Sequence, residues 1–131
     1  MVKIVVADDS NLIRMKLKKH LKDEYEVVEA HNGRDALVKI KIEKPDIILS
    51  DLLMPEMDGF ELLRRIQEDK IPIPVVILTA DIQFETNQKC LELGAFKVLN
   101  KPPNREDLLK FIENKELSNE IEAKVREKLG V

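Results

Sequence analysis

Five short runs of mainly apolar, often β-branched residues recur along this chain, with room for one helix between each run and the next. The runs are rich in Val and Ile. Near-continuous apolar runs of this kind are typical of strands that are buried on both faces of a parallel sheet. The predicted strands occupy residues 3–7, 25–30, 46–50, 74–80 and 95–100.

The segments that follow these runs carry apolar residues three or four positions apart, the spacing of one helix face. The faces comprise Ile13, Leu17 and Leu21; Ala36, Leu37 and Ile40; Phe60, Leu63 and Ile66; more weakly Phe84, Gln88 and Leu91; and Leu108 with Ile112. Strict alternation of strand and helix predicts an α/β fold. We expect a (βα)5 unit with a doubly wound, five-stranded parallel sheet and helices on both faces.

Length and composition fit one domain and narrow the possible functions. The chain has 131 residues, and its net charge of -3 gives no general reason to bind nucleic acid directly. No apolar run approaches the roughly 20 residues of a membrane span, and no signal peptide precedes the first strand. Cys90 is the only cysteine, so no internal disulfide is expected, and a cytoplasmic location is favoured.

Polar residues follow four of the five predicted strands. Along the chain they are the pair Asp8 and Asp9, then Asp51, then Thr79 at the end of the fourth run with Ala80 beside it, then Lys101. Ligands of open α/β sheets bind beyond the carboxyl ends of the strands. If the first and third strands are neighbours, three carboxylates therefore meet in one small cleft.

Such a cluster has a definite chemistry. Like charges about 4 Å apart repel by roughly 1 kcal/mol even in water, so the carboxylates need a cation or a proton. Carboxylate and carbonyl oxygens suit Mg²⁺. Lys101 adds a positive charge and Thr79 a hydroxyl, which completes a set that can hold a phosphoryl group. A carboxylate can also accept the phosphate itself, as an aspartyl-phosphate.

Each residue taken alone has a simpler structural explanation. An Asp at a strand end is usually a turn or helix cap, and either Asp9 or Ser10 could cap the first helix. A single lysine such as Lys101 is usually solvated, and Thr79 fits a β position. The combination and its order along the strands favour a functional site.

Four segments together resemble the receiver domain of two-component response regulators. They are "VVADDS" (5–10), "LSDLLMPEMDGFELL" (49–63), "VVILTA" (75–80) and "LNKPP" (99–103). The resemblance implies the flavodoxin-like strand order 2-1-3-4-5, as in chemotaxis regulators. It covers about residues 2–115, so we expect a receiver domain over residues 1–115 and a C-terminal helical extension over residues 116–131.

The resemblance also implies a metal site and a phosphoacceptor. Asp51 is expected to accept the phosphoryl group. Asp9 and Asp51 are expected to ligate Mg²⁺ directly, together with the backbone carbonyl of Leu53. Asp8 is expected to contribute through a bound water.

The remaining expected roles concern the phosphoryl oxygens. Thr79, Lys101 and the backbone N–H of Ala80 are expected to contact them, and the Lys101–Pro102 peptide is expected to be cis. Family members usually carry Tyr or Phe three residues before this lysine, where this chain has Val98.

Two neighbouring residues complete the comparison with the family. Because side chains alternate along a strand, Phe96 is expected on the same face as Val98, with a role in the core. Asp81 is expected either to tune dephosphorylation or to cap the next helix.

Residues 116–131 carry an apolar residue every fourth position. This spacing drifts around a helix, so the segment would make a poor coiled coil.

The function that these features indicate is that of a stand-alone receiver. It would take a phosphoryl group from a sensor histidine kinase and promote its own phosphorylation and dephosphorylation, as a signalling domain rather than an enzyme. The output would be contact with a partner protein or phosphatase through the face formed by the fourth helix, fifth strand and fifth helix. A phosphate sink or a phosphorelay intermediate is the alternative.

Three other classes fit the sequence less well. A phosphoaspartate hydrolase of the haloacid dehalogenase type needs an acid two residues after the nucleophile, where this chain has Leu53. A flavin-binding flavodoxin-like protein needs hydroxyl and amide groups after the first strand, where this chain has Asp8 and Asp9. A phosphate-independent binding module would not need the complete acidic set.

Overall fold

The sheet has five parallel strands, as predicted. The computed structural model describes residues 2–81 and 83–101, together with Pro103, Glu106, Leu108 and Gly130. The strands are β1 (Lys3–Ala7), β2 (Glu26–Ala30), β3 (Ile47–Asp51), β4 (Val75–Thr79) and β5 (Lys97–Asn100). Their order in the sheet is β2-β1-β3-β4-β5, which confirms the expected topology.

Four helices connect these strands within the described residues. They are α1 (Asn11–Leu21), α2 (Gly33–Glu43), α3 (Gly59–Glu68) and α4 (Phe84–Glu92). Ser10, Asn32 and Asp58 each accept a backbone N–H of the first helical turn, which satisfies one of the donors that a helix start leaves unpaired. The predicted fifth helix and the predicted extension over 116–131 fall largely outside the described residues.

Two hydrophobic clusters cover the two faces of the sheet. One packs α2, α3 and α4 against the sheet, and the other packs α1 and the completely buried Leu108 against the opposite face. Every residue of β3 and β4 is buried. Burying one Leu or Ile side chain contributes about 1.5–3 kcal/mol, so these central strands form the most firmly held part of the sheet.

The predicted apolar face of the fourth helix is wrong. Phe84 and Leu91 are 74% and 42% exposed, whereas Cys90 is completely buried. The buried residue of α4 is Cys90, and the partly buried Leu93, just after the helix, packs against the same cluster. The sequence pattern therefore pointed to the wrong side of the helix.

Val98 and Phe96 also differ from the expectation. Val98 packs against the cluster of α2, α3 and α4, whereas Phe96 packs against the cluster on the other face. β5 begins only at Lys97, so strand alternation does not extend back to Phe96. No helix in the described part of the chain has the length and apolar character to cross a membrane.

Candidate functional site

The acidic residues meet at the carboxyl edge of the sheet because β1 and β3 are neighbours. Ala7 pairs with Ser50, so Asp8 and Asp51 lie side by side one residue further on. Carboxylate oxygens of Asp8, Asp9 and Asp51 all lie within 4.8 Å of one another. The structure thus brings together the three carboxylates that the sequence placed at strand ends.

The three carboxylates differ in how they are held. Oδ1 of Asp8 accepts the Ser10 N–H at 2.9 Å, and Oδ1 of Asp51 accepts the Leu52 N–H at 2.8 Å. Both side chains are almost completely buried. Asp9 is exposed, and within the described residues its carboxylate has neither a hydrogen bond nor an ion pair. Its place in the cluster therefore depends on the backbone.

Lys101 brings a positive charge into the cluster. Its ammonium lies 2.8 Å from Oδ2 of Asp8 and 3.1 Å from Oδ2 of Asp51, and only 18% of its side chain is exposed. The Lys101 N–H donates to the Thr79 carbonyl at 2.9 Å, which continues the β4–β5 pairing and fixes the lysine above the strand ends. Lys101 is therefore not the solvated lysine of the simpler explanation.

The electrostatics of the cluster follow from burial and proximity. Burial raises the pKa of Asp51 above its usual range, the neighbouring Asp8 carboxylate adds to the effect, and Lys101 only partly opposes it. Burial lowers the pKa of the Lys101 ammonium, but its contacts with Asp8 and Asp51 outweigh this and raise it overall. The ammonium stays charged, while the ionised carboxylate of Asp51 carries an energetic cost.

Thr79 occupies the opposite side of the cleft. Asp51 pairs with Leu78, so Thr79 lies one residue beyond Asp51 along the sheet edge. The buried Thr79 hydroxyl oxygen accepts the Asp81 N–H at 3.0 Å. Ala80, the next residue, is exposed.

Asp81 links this loop to α4. Its carboxylate accepts the Gln83 N–H at 3.0 Å and the Thr86 hydroxyl at 2.7 Å. These hydrogen bonds lower the pKa of the Asp81 carboxyl, and the bond from Thr86 has the larger effect. Gln83, at the N-cap position, makes no side-chain hydrogen bond to the helix. Asp81 therefore caps α4 in its place, which is one of its two expected roles.

The loop after Asp51 is closed by a glycine. A Cβ at Gly59 would lie 2.9 Å from both the Asp51 carbonyl oxygen and Cα of Leu52, too close for any other residue without a shift. The Gly59 N–H donates to the Leu52 carbonyl at 2.7 Å. Met54 is buried within the loop, and the Leu53 side chain is 71% exposed. The role of the Leu53 carbonyl stays a prediction, and the Lys101–Pro102 peptide lies outside the described residues.

Comparisons with known proteins give one consistent result. Residues 4–113 match the family described as "Response regulator receiver domain". The chain belongs to the response regulator receiver domain family. Receiver domains are phosphoacceptor signalling modules rather than classical enzymes, and they work with histidine kinases. The acidic cluster described above is typical of their phosphoacceptor site.

Individual relatives agree with this assignment. A structure of the chemotaxis protein CheY4 of Vibrio cholerae is 37% identical with a TM-score of 0.81, and the match covers 86% of this chain and 97% of that one. A CheY-like receiver domain protein from Methanospirillum hungatei is 28% identical with a TM-score of 0.85, over 94% of this chain and 98% of that one.

A curated relative shows how far the likeness reaches. The protein-glutamate methylesterase/protein-glutamine glutaminase of Clostridium acetobutylicum is 39% identical over 115 residues, which is 84% of this chain but 33% of that protein. Across three curated relatives, the chain spans between a third and just over half of their length. The likeness to these proteins is therefore a likeness to their receiver domains.

The donor set of this receiver domain fits a hard divalent cation. Three carboxylates offer oxygen ligands at one point, which is what Mg²⁺ prefers. Oδ2 of Asp8 is buried and lies beside the Lys101 ammonium, yet the described residues give it no hydrogen bond of normal geometry. Buried carboxylate oxygens with unused acceptor capacity are suited to a metal or its waters.

Arg14 lies beside the site, although the sequence indicated no role for it. The Arg14 guanidinium donates to the Asp8 carbonyl and the Asn11 side chain, and it pairs with Glu29 on β2. An arginine among the many charges of α1 resembles a solvated residue, so nothing in the one-dimensional pattern singled it out. Only the packing of α1 beside the end of β2 reveals its contacts.

Proposed function

We propose that this receiver domain accepts a phosphoryl group on Asp51 from a phosphohistidine of a sensor histidine kinase. The observation that carries the proposal is the position of Asp51. It is the last residue of a central buried strand, within 4.8 Å of two further carboxylates and 3.1 Å from a lysine ammonium. A purely structural carboxylate gains nothing from two acidic neighbours in a buried site.

The proposed reaction is a phosphoryl transfer between two side chains. An oxygen of the Asp51 carboxylate attacks phosphorus, the P–N bond of the phosphohistidine breaks, and the electron pair leaves with the imidazole. Water later attacks the aspartyl-phosphate, which returns the carboxylate and releases inorganic phosphate. The raised pKa of Asp51 reflects a carboxylate that is poorly compensated before the reaction and gains from added positive charge.

Mg²⁺ is the cation that the site is proposed to hold. Asp9 and Asp51 would ligate it directly, Asp8 would contribute through a water, and the Leu53 carbonyl would complete the protein ligands. When bound, Mg²⁺ neutralises the charge that develops on the transferred phosphoryl oxygens. This assignment is supported by the Asp9 carboxylate, which has no partner among the described residues, and by the remaining acceptor capacity of Asp8 Oδ2 beside Lys101.

Three further groups are proposed to hold the phosphoryl oxygens. The Lys101 ammonium is already in contact with Asp51 and would pair with one oxygen. The Thr79 hydroxyl and the Ala80 N–H would donate to the others. Thr79 is buried beside the cleft, and among the described residues its hydroxyl is engaged through the Asp81 N–H alone, which leaves its own proton to be donated to a new acceptor.

The proposed output is a change in a protein-binding surface that includes α4 and β5. Phe84 and Leu91 on α4 are exposed hydrophobic residues of the kind that protein contacts use. A partner protein or a phosphatase would bind there, and the predicted fifth helix would complete the face. Residues 1–115 are proposed to form the receiver unit, and residues 116–131 an extension outside the site.

The test is phosphorylation by a small donor. Incubation with acetyl phosphate and Mg²⁺ should add one phosphate, measured by intact mass, and Asp51→Asn should add none. Asp46→Asn is the matched control, because Asp46 immediately precedes β3, is exposed and accepts the Lys3 N–H. Normal labelling of Asp51→Asn, or equal loss of labelling in both variants, would overturn the assignment of Asp51.

A further inference from the structure

The β1–α1 turn raises a question about Asp9. Its carboxylate lies within 4.8 Å of those of Asp8 and Asp51, although like charges repel at that distance. Asp9 is exposed, and among the described residues no side chain or N–H holds its carboxylate. Asp8 and Asp51 are held by N–H donors and by Lys101, so the backbone at residues 8 and 9 must supply the constraint that keeps the Asp9 carboxylate beside them.

Arg14 is the group that holds this backbone. Its Nη1 donates to the carbonyl oxygen of Asp8, which belongs to the peptide that joins Asp8 to Asp9. Fixing the plane of that peptide fixes the position of the Asp9 Cα, the point from which its side chain extends. The N–H of Asp8 donates to the Ala30 carbonyl at 3.1 Å, so the backbone of the turn is held on both sides of Asp8.

Arg14 is itself held firmly. Its Nε lies 3.4 Å from Oε1 of Glu29 on β2, its Nη2 donates to the Asn11 side chain, and only 11% of its side chain is exposed. A guanidinium presents donors in a rigid planar fork, so it can hold three acceptors in fixed directions, which a lysine cannot do. The side chain connects β2, the β1–α1 turn and the first turn of α1.

We propose that Arg14 is a positioning residue for the metal site, which keeps the Asp9 carboxylate directed at the cation by fixing the Asp8–Asp9 peptide. The inference rests on the proposed function, since it concerns Mg²⁺ at the acidic cluster. Loss of a group that orients a metal ligand typically lowers metal affinity by about 10–100-fold. Arg14 contacts a ligand's backbone rather than its carboxylate, so we expect the lower end of that range.

The chain offers a matched control for the charge of Arg14. Lys18 lies one helical turn further along α1 and pairs with the same Glu29, at 3.6 Å, but its side chain is 49% exposed, and among the described residues it makes no hydrogen bond or ion pair with the turn. Arg14→Met and Lys18→Met each remove one positive charge and one partner of Glu29. Only Arg14→Met releases the Asp8 carbonyl.

The experiment is a titration of the full chain with Mg²⁺ in the absence of any phosphodonor. Amide NMR shifts or calorimetry would give the dissociation constant. Arg14→Met should weaken Mg²⁺ binding about tenfold, Arg14→Lys should recover only part of the loss, and Lys18→Met should bind as wild type does. Unchanged affinity in folded Arg14→Met, or an equal loss in Lys18→Met, would overturn the inference. A role in stability alone would lower the urea midpoint without changing the dissociation constant.

A double-variant cycle tests whether Arg14 acts through Asp9. In the Asp9→Asn background, Arg14→Met should change Mg²⁺ affinity by less than about twofold, because the group that it positions has already lost its charge. A full tenfold loss there would contradict the proposal. Should Arg14→Met fail to fold, Glu29→Gln can be used instead, because it loosens the same guanidinium. It should cause a smaller loss of Mg²⁺ affinity, and an unchanged affinity would contradict the proposal. Absence of Mg²⁺ binding in wild type would instead reject the proposed function.

Discussion

The two sides of the cleft are held in very different ways. On the acidic side, Asp8 directly follows β1, Asp51 ends the adjacent β3, and both contact the Lys101 ammonium. On the other side, the Thr79 hydroxyl accepts the Asp81 N–H and has no second hydrogen bond within the part of the chain that the structure describes. Beyond it, α4 has only one fully buried residue, Cys90, and begins with the exposed Phe84.

This difference separates binding from response. The acidic side is already assembled, so the proposed cation and phosphoryl group would bind there without rearrangement. The loop from Thr79 to α4 is held by hydrogen bonds that contribute about 1 kcal/mol each, which a new charge on Asp51 can readily outweigh. We therefore expect phosphorylation to leave the first side in place and to rearrange the second.

The largest effect is expected for the acidic side. Asp9→Asn should weaken Mg²⁺ binding on the order of 100-fold, since it removes a charged ligand from a cation that is reluctant to lose its waters. Asp81→Asn, an equal charge change across the cleft, should stay within about twofold. Affinity should also fall as pH falls, and because the pKa of Asp51 is raised, protons compete at a higher pH than at an ordinary carboxyl. Equal losses of Mg²⁺ affinity in Asp9→Asn and Asp81→Asn would contradict the distinction between the two sides of the cleft.

The cost of this preorganisation should appear in stability without Mg²⁺. The folded pKa of Asp51 is raised, so the folded protein keeps a proton that the unfolded chain has lost, and stability falls as pH rises from the ordinary value of 3.8 through the folded pKa. Above that window Asp51→Asn should be more stable than wild type by about 1 kcal/mol, the size of the repulsion removed.

Urea unfolding in EDTA and in Mg²⁺ measures this effect. The advantage of Asp51→Asn should vanish below the ordinary carboxyl pKa, and Mg²⁺ should narrow it by stabilising wild type. An Asp51→Asn protein that is less stable than wild type at neutral pH in EDTA would show that Lys101 compensates the carboxylates fully.

How much of this molecule could be read from its sequence depends on the kind of signal. The strand runs, their order and the acidic cluster followed from periodicity, family resemblance and position after strands. The face of α4 did not, because the helix buries Cys90 while the apolar Phe84 and Leu91 face solvent. Arg14 was invisible because its contacts join residues of β2, a turn and α1, and no spacing along the chain encodes that meeting.

A smaller effect is expected from Val98. In family members an aromatic residue occupies this position and turns inward, but Val has few rotamers and little surface to move. Thr79→Ala should blunt the amide shifts that a phosphate mimic such as beryllofluoride causes at residues 81 and 83–86. Val98→Ala should leave most of them in place, since so small and rotationally restricted a side chain can reshape little surface. Shifts that disappear in Val98→Ala would make Val98 a switching residue.

The smallest effect is expected from the C-terminal extension. Ending the chain after Lys115 should leave the rate of phosphorylation by acetyl phosphate within about twofold of the full chain, because both sides of the cleft are built from residues before that point. The intact-mass time course and the urea midpoint check this. A truncated chain that fails to fold would place the extension in the core.

The most direct measurement compares the two sides in the same wild-type sample. Amide NMR shifts and hydrogen exchange would be recorded with Mg²⁺ alone and then with Mg²⁺ and beryllofluoride. Mg²⁺ alone should shift residues 8–10 and 51–53 and leave their exchange protection unchanged. Beryllofluoride should then cause its largest further changes, including changed protection, at residues 79–86. Changed protection centred on the β1–α1 turn, with the loop before α4 unaffected, would contradict the separation of a fixed binding side from a responsive one.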